Sequence, residues 1–418
     1  MAVSLIGASF TFGAWLRGRN IGYLVLPFFF ASWLTAELAP HHIAWQALAT
    51  VVFIAAGALH SWPGYLGLAV TFASWAGLIA LQRRAATTGD VCDQALRQAL
   101  GEMYRSLVPS TIAAEFPTAV ARRLILRPFK TRLATVERIT NIAYGEAGTR
   151  NLLDIYRPRV GLVSCPILLQ IHGGGWMVGN KDQQGLPLMN FLAARGWVCV
   201  APNYRLSPQA TFPDHLIDVK RALVWMRRHA AEYGADPSFV AVTGGSAGGH
   251  LAALVALTPN DPTLQPGFEE DDTAVAACVP IYGLYDFLDS YQLRAHRPMT
   301  PFLQKYVMKC SPETERERWK KASPTALVRV DAPPFFVIHG SHDSLALVED
   351  ARRFVSALRA VSRNPVVYAE IPGAQHAFDV FHSLRCGHVV NAIGWFLECV
   401  RGHGTVQDDA PSLSREAS

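Results

Sequence analysis

Charge is what this chain has least of where it matters most. Of its 418 residues 17% are charged, and between positions 20 and 82 the one formally charged side chain is Glu37. The net charge of +5 is weak, and residues 1–84 supply +3 of it through Arg17, Arg19, Arg83 and Arg84 against Glu37, leaving +2 for the rest. A body so nearly neutral excludes a nucleic-acid-binding surface as its main business, and no nucleic-acid partner is expected. Paired cysteines are lacking too. The seven are odd in number, scattered, and without a C-x-x-C pair, which excludes a disulfide scaffold and a zinc ribbon. With 50% apolar residues and no internal repeat, the chain is neither disordered nor a solenoid.

The uncharged stretch reads as membrane. A spanning helix needs about 20 mostly apolar residues, and spans are expected at about 20–38, 43–60 and 64–82. Pro40-His41-His42 and Ser61-Trp62-Pro63-Gly64 separate them, with Trp33, Trp45, Trp62 and Trp75 near their ends. The apolar region is too long for a cleavable signal of 7–15 residues. Arginines flank it on both sides, so three spans break the positive-inside rule at one end and two do not. The expectation is a multi-pass membrane region over 1–84, with two or three spans and no side assigned to the remainder.

Residues 85–134 look helical, with Leu96, Leu100, Met103 and Leu107 at helical spacing. Arg122, Arg123, Arg127, Lys130 and Arg132 then crowd around Leu124, Ile125, Leu126 and Phe129. That segment fits either anionic headgroups or an ordinary solvated helix face.

From 135 to 401 short apolar strands alternate with helices. Strands are expected at 139–144, 152–156, 167–171, 198–201, 239–243, 276–281, 335–338 and 366–371, and helices at 188–195, 214–233, 250–257 and 348–362. The alternation predicts an α/β architecture, a mainly parallel eight-stranded sheet with helices on both faces and ligands at the carboxyl ends of the strands. The tail 402–418 is polar and expected to be disordered.

The chemistry-bearing motifs sit at those strand ends. Gly244-Gly245-Ser246-Ala247-Gly248-Gly249 follows one strand and opens an apolar helix, the context of a nucleophile elbow. Gly244 and Gly248 give the sharp turn the room a Cβ would fill. His172-Gly173-Gly174-Gly175 follows an earlier strand, and its consecutive amides, with that of Ala247, can converge on an oxyanion. His172 is read as a brace for this loop. A phosphate loop is excluded, because neither G-x-G-x-x-G opening a helix nor a Walker lysine is present. Asp343 and His376 end two late strands, giving the chain order Ser246, Asp343, His376. His342 and His382 are rival bases, but only His376 follows the acid in a short loop directly after a strand.

On these residues the stretch from about 135 to 400 resembles the hormone-sensitive-lipase-type branch of the α/β-hydrolases, marked by H-G-G-G and G-D-S-A-G-G. Tyr204-Arg205-Leu206-Ser207-Pro208, Phe212-Pro213 and Tyr282-Gly283 extend the likeness. The resemblance implies Ser246, Asp343 and His376 as triad and Gly173, Gly174 and Ala247 as oxyanion donors. It also implies a cap over the site, expected from helices at about 86–130 and an insertion at 286–329. Gly245 departs from the pattern, standing where an acidic residue is common, and altered local polarity rather than lost catalysis is expected. The apolar N-terminal region is similar to that of membrane-linked bacterial lipases and esterases and, more distantly, to prenylcysteine methylesterases.

The function so implied is a membrane-anchored serine carboxylesterase or lipase acting on a small-molecule or lipid ester, through an acylated Ser246. An acyltransferase, a methylesterase or a formamidase shares the triad, and a non-catalytic receptor shares the fold. No metal and no cofactor is expected; membrane lipid is the expected partner; chain length of the substrate and oligomeric state are not read from the sequence.

Overall fold

In the computed structural model, residues 1–16, 24–161, 163–294 and 299–408 are described. A single eight-stranded sheet runs in the order β1-β2-β4-β3-β5-β6-β7-β8. Its strands are β1 Val136–Ala143, β2 Leu152–Pro158, β3 Cys165–Ile171, β4 Val198–Pro202, β5 Ala235–Gly245, β6 Ala277–Ile281, β7 Phe335–Gly340 and β8 Val366–Ile371. β1 pairs antiparallel with β2, and β2 with β4; every later pairing is parallel. β3, with Cys-Pro-Ile-Leu-Leu-Gln-Ile, β6 and β7 are buried at every position, because a parallel strand covered on both faces has no solvent side to alternate toward.

The longer helices before the sheet are α1 Ala2–Trp15, α2 Val25–Glu37, α3 Ala39–Ala55, α4 Trp62–Ala86 and α5 Thr88–Leu100. The longer ones within the sheet region are α6 Leu186–Ala193, α7 Asp214–Arg228, α8 Ala247–Leu257, α9 Val348–Val361 and α10 Leu384–Asp408. One apolar core lies between the sheet and α7, α8 and α9, and a second lies between its other face and α5, α6 and α10. α9 shows why such helices face as they do: Ala351, Phe354, Val355 and Leu358 recur at helical spacing and are buried, while Glu349 and Asp350 in its first turn and Arg359 in its last match the helix dipole. The segment 85–134 therefore contributes a layer helix, α5, packed on β8 and α10. Of the polar tail, α10 takes residues up to Asp408, and 409–418 lie outside the described residues.

The N-terminal helices meet at small residues. Thr11 and Ser74 share a 2.8 Å hydrogen bond between α1 and α4, and a Cβ on Gly77 would sit 2.7 Å from Thr11. Large apolar side chains point outward all around this group, among them Leu5, Phe12, Val51, Phe53, Leu66 and Phe72. The run Trp62–Leu100 is long and apolar enough to cross a membrane; α2 and α3 reach that measure only together, and they are bent by 89° at their junction. The first two expected spans thus correspond to two short helices of 13 and 17 residues set nearly at right angles. At about 1.5 Å per residue the 13-residue α2 is some 20 Å long, less than the roughly 30 Å of a hydrocarbon core. Positions 20–23 of the first expected span are outside the described residues.

Candidate active site

Ser246 sits between the end of β5 and the start of α8 with φ +58° and ψ −122°, a backbone conformation that an L side chain rarely adopts. The turn closes because its flanks lack side chains. A Cβ on Gly248 would lie 2.1 Å from the Ile171 carbonyl oxygen, and one on Gly244 2.5 Å from Gly248. The Ser246 N–H is spent on the Ile281 carbonyl at 3.0 Å, tying the elbow to β6.

Asp343 and His376 come from the loops after β7 and β8. Asp343 Oδ2 accepts from His376 Nδ1 at 2.7 Å, while Oδ1 accepts the Leu345 and Ala346 amides at 2.8 Å each. His339 also approaches Oδ2, at 3.3 Å. Burial alone would raise the Asp343 carboxyl, but the His376 charge and the hydrogen bonds from His339 and His376 outweigh it and hold the group well below the usual carboxylate range. Gln375 steadies both loops, its Oε1 accepting the Ser344 and His376 amides at 2.6 and 3.0 Å. The rival histidines lie elsewhere. His342 Nε2 meets Arg84 of α4 at 3.3 Å, and His382 lines a separate cavity beside residues 117–133.

The glycine loop after β3 lies against the elbow: a Cβ on Gly173 would stand 3.1 Å from Ser246 Cβ. Gly174 has φ +115°, and a Cβ there would be 2.1 Å from the Val178 carbonyl oxygen, so only glycine makes this bend. Its amides are not equivalent. The Gly173 N–H donates to Gln184 Oε1 at 2.7 Å, whereas Ala247 is the first residue of α8, where an amide has no intrahelical partner. His172 Nδ1 contacts the Gly173 carbonyl at 2.7 Å, and its ring is stacked on Tyr204, whose hydroxyl donates to the His172 carbonyl. Burial pushes the His172 imidazole down to about 4, so at neutral pH it is an uncharged brace.

Ser246 and His376 line one cavity of about 780 Å³, together with Gly174, Gly175, Tyr282 and a mostly apolar wall. Two parts of the chain roof it. From the insertion come Arg294, Met299 and Phe302, with Arg294 buried and paired to Asp350 of α9 at 2.6 Å; residues 295–298 lie outside the described residues. From the N-terminal helices come Leu26, Phe29, Phe30 and Trp33 of α2. α2 is bolted to the loops beneath it. Glu37 pairs with Arg385 at 2.8 Å and accepts from Ser383, all three buried, and Gln375 donates to Ser32 at 3.1 Å. Phe29 stands edge-on to His376 with ring centroids 6.3 Å apart.

Sequence reasoning expected a helix where α2 lies but did not find its place over the cavity, nor Gln184, Gln375 or Arg385. One signal pointed to the first: a lone carboxylate in a long apolar run needs a buried cation, and Glu37 has it in Arg385. Gly245, where the family pattern has an acid, is also accounted for. A Cβ at 245 would lie 2.7 Å from the Tyr282 hydroxyl, which in turn donates to Asp379, so that tyrosine fills the space an acidic side chain would enter.

Residues 153–358 match the family model described as BD-FAE. Esterase LipQ of Mycobacterium tuberculosis is 39% identical over 379 residues, 89% of this chain and 84% of that protein. The chain belongs to the hormone-sensitive-lipase-type carboxylic ester hydrolases. This hydrolase is also 54% identical over 259 residues to the probable carboxylic ester hydrolase LipM of the same organism, a match spanning 62% of this chain and 60% of that one. Among solved structures, a truncated carbohydrate esterase from gut microbiota superposes with a TM-score of 0.54 at 22% identity, over 65% of this chain and 99% of its own. That likeness establishes the α/β-hydrolase fold of the enzyme.

Proposed function

We propose that this ester hydrolase is a membrane-anchored serine carboxylesterase for hydrophobic esters, and the observation that carries the proposal is the Asp343–His376 hydrogen bond opening onto a cavity shared with Ser246. His376 Nε2 takes the Ser246 hydroxyl proton as Oγ bonds to the ester carbonyl carbon, and the amides of Gly174 and Ala247 receive the oxyanion. Gly173, its own N–H held by Gln184, sets the loop that aims Gly174. Collapse breaks the bond to the alcohol, which leaves with the His376 proton; water, deprotonated by His376, then releases the acid and restores Ser246. Asp343 keeps Nδ1–H facing itself and stabilises the imidazolium. The apolar roof suits an acyl chain rather than a sugar or a peptide.

Residues 135–401 form the catalytic unit in this reading, with α2 and the 286–329 insertion as its cap. Residues 1–84 hold it to the bilayer, α4 being long enough to cross, and 85–134 connect the two. Ser246→Ala in the full-length protein, assayed on p-nitrophenyl esters of increasing chain length, is expected to lose roughly 10⁴-fold or more in kcat with the fold intact. Unchanged hydrolysis by a folded Ser246→Ala protein would sink the serine mechanism.

A further inference from the structure

Residues 122–132 are left unused by the chemistry above. The short helix Arg122–Leu126 and the loop after it present Arg122, Arg123, Arg127, Lys130 and Arg132 to the outside, all exposed. No acidic residue occurs between Glu115 and Glu137, and none of the five cations pairs with a carboxylate among the described residues. Two large apolar side chains stand out among them, Leu126 at 68% exposure and Phe129 at 70%. A solvated helix face mixes charges of both signs and hides its large apolar residues; this surface does neither. Cations around protruding apolar tips are what an anionic bilayer surface recognises, headgroups taking the arginines and the acyl boundary the leucine and phenylalanine.

The position of the segment gives that surface a purpose. The Pro128 carbonyl accepts from the His382 amide at 2.9 Å, and the Phe129 ring lies 5.2 Å from Phe381. Phe381 lies 5.3 Å from Trp33, which stacks on Phe29 at 5.4 Å, beside His376. The basic segment thus adjoins the roof helix α2, whose Leu26 and Phe30 line the cavity yet are 56% and 52% exposed. We propose that residues 122–132 dock on the anionic headgroups of a lipid bilayer and thereby hold the α2 roof, and the cavity under it, at the depth of the acyl chains. The proposal builds on the membrane anchoring inferred above, and its test separates the two.

The full-length protein, carrying a fluorophore at Leu126→Cys in a Cys310→Ser background, is placed in nanodiscs of phosphatidylcholine with or without phosphatidylglycerol; the other six cysteines are buried. An aqueous quencher is expected to reach the probe several-fold less in discs with phosphatidylglycerol, and the protection is expected to vanish in high salt. It should also vanish in Arg122→Glu/Arg123→Glu/Arg127→Glu and in the corresponding triple Gln variant, while hydrolysis of a water-soluble short ester stays unchanged in both. Equal quenching in the two lipids overturns the docking surface. If the protein leaves the discs, anchoring fails by itself, and the surface is then read by flotation. Salt-sensitive binding to phosphatidylglycerol vesicles over phosphatidylcholine ones, weakened roughly a hundredfold by loss of three cations, upholds it, and binding to neither overturns it.

Discussion

The sheet body and the N-terminal helices are both rich in apolar residues, yet they use them in opposite ways. In the body β3, β5, β7 and β8 lead into the loops that carry the glycine loop, Ser246, Asp343 and His376, and the apolar side chains of the sheet are buried in two cores. Among the described residues of 1–86 many large apolar side chains face outward, while polar ones such as Thr11, Ser32, Thr35, Glu37, Gln46, Thr71 and Ser74 are buried. This inside-out distribution is what the anchoring proposed above would require. α2 belongs to both regimes, with Phe29 turned to the cavity and Phe30 half-exposed, so the apolar N-terminal region and the cavity beside Ser246 share one helix.

The comparison is broken or sharpened by graded changes. Asp343→Asn leaves the packing of the body nearly intact but presents the wrong tautomer of His376, and kcat on a p-nitrophenyl ester is expected to drop roughly 10³–10⁴-fold. A drop within tenfold would mean the body's loops do not act as described. Next comes the bolt between the regions. Arg385→Met leaves Glu37 as an unpaired buried carboxylate and is expected to destabilise the fold by about 3–5 kcal/mol in denaturant titrations, with most of the loss recovered in Arg385→Met/Glu37→Leu. If the single variant is neutral, α2 is not fastened to the body and the shared helix is a fiction.

Acid is a further probe of the body. Burial pushes His172 and His215 down to about 4 and His250 to about 3, so these imidazoles are neutral when folded. The unfolded chain takes up their protons first, near its ordinary histidine value of about 6.5, so stability is full above that pH and falls as pH drops toward 4. The midpoint of chemical unfolding should therefore fall over that window, by the equivalent of roughly 2–3 kcal/mol per histidine, and His250→Gln should make the slope shallower. The smallest effect concerns selectivity. Phe29→Ala and Trp33→Ala each remove apolar wall from the roof, and kcat/KM for long-chain esters should fall roughly 10–100-fold relative to an acetate ester. An unchanged chain-length profile would place the acyl chain elsewhere.

How much of this could be read beforehand follows the same divide. All eight strands were legible because β-branched and apolar runs alternate with helical periodicity, and so were the places of Ser246, Asp343 and His376 in the loops that follow β5, β7 and β8. What hydropathy did not give is direction. A helix that lies over an apolar cavity and one that faces lipid have the same composition, so 20–38 read as a span although its helix stops at Glu37 and turns by 89° before Pro40. The cap was looked for at 86–130 on the analogy of the family, while α5 there has an amphipathic stripe, Cys92, Ala95 and Leu96, that suits the sheet's flank. Contacts between segments hundreds of residues apart, such as Gln375 with Ser32, leave no local pattern, and the lone Glu37 signals a buried cation without naming Arg385.

The space beside Gly245 carries a consequence for how this sequence can change. Tyr282 and a side chain at 245 compete for one volume, so an acid introduced at 245 meets the tyrosine ring, and a tyrosine removed first leaves a void and an unpartnered Asp379. The two positions are an epistatic pair: each is neutral only in the presence of the other's current state. An acid at 245 therefore requires a smaller residue at 282 in the same molecule, since either change made alone strains or empties that volume.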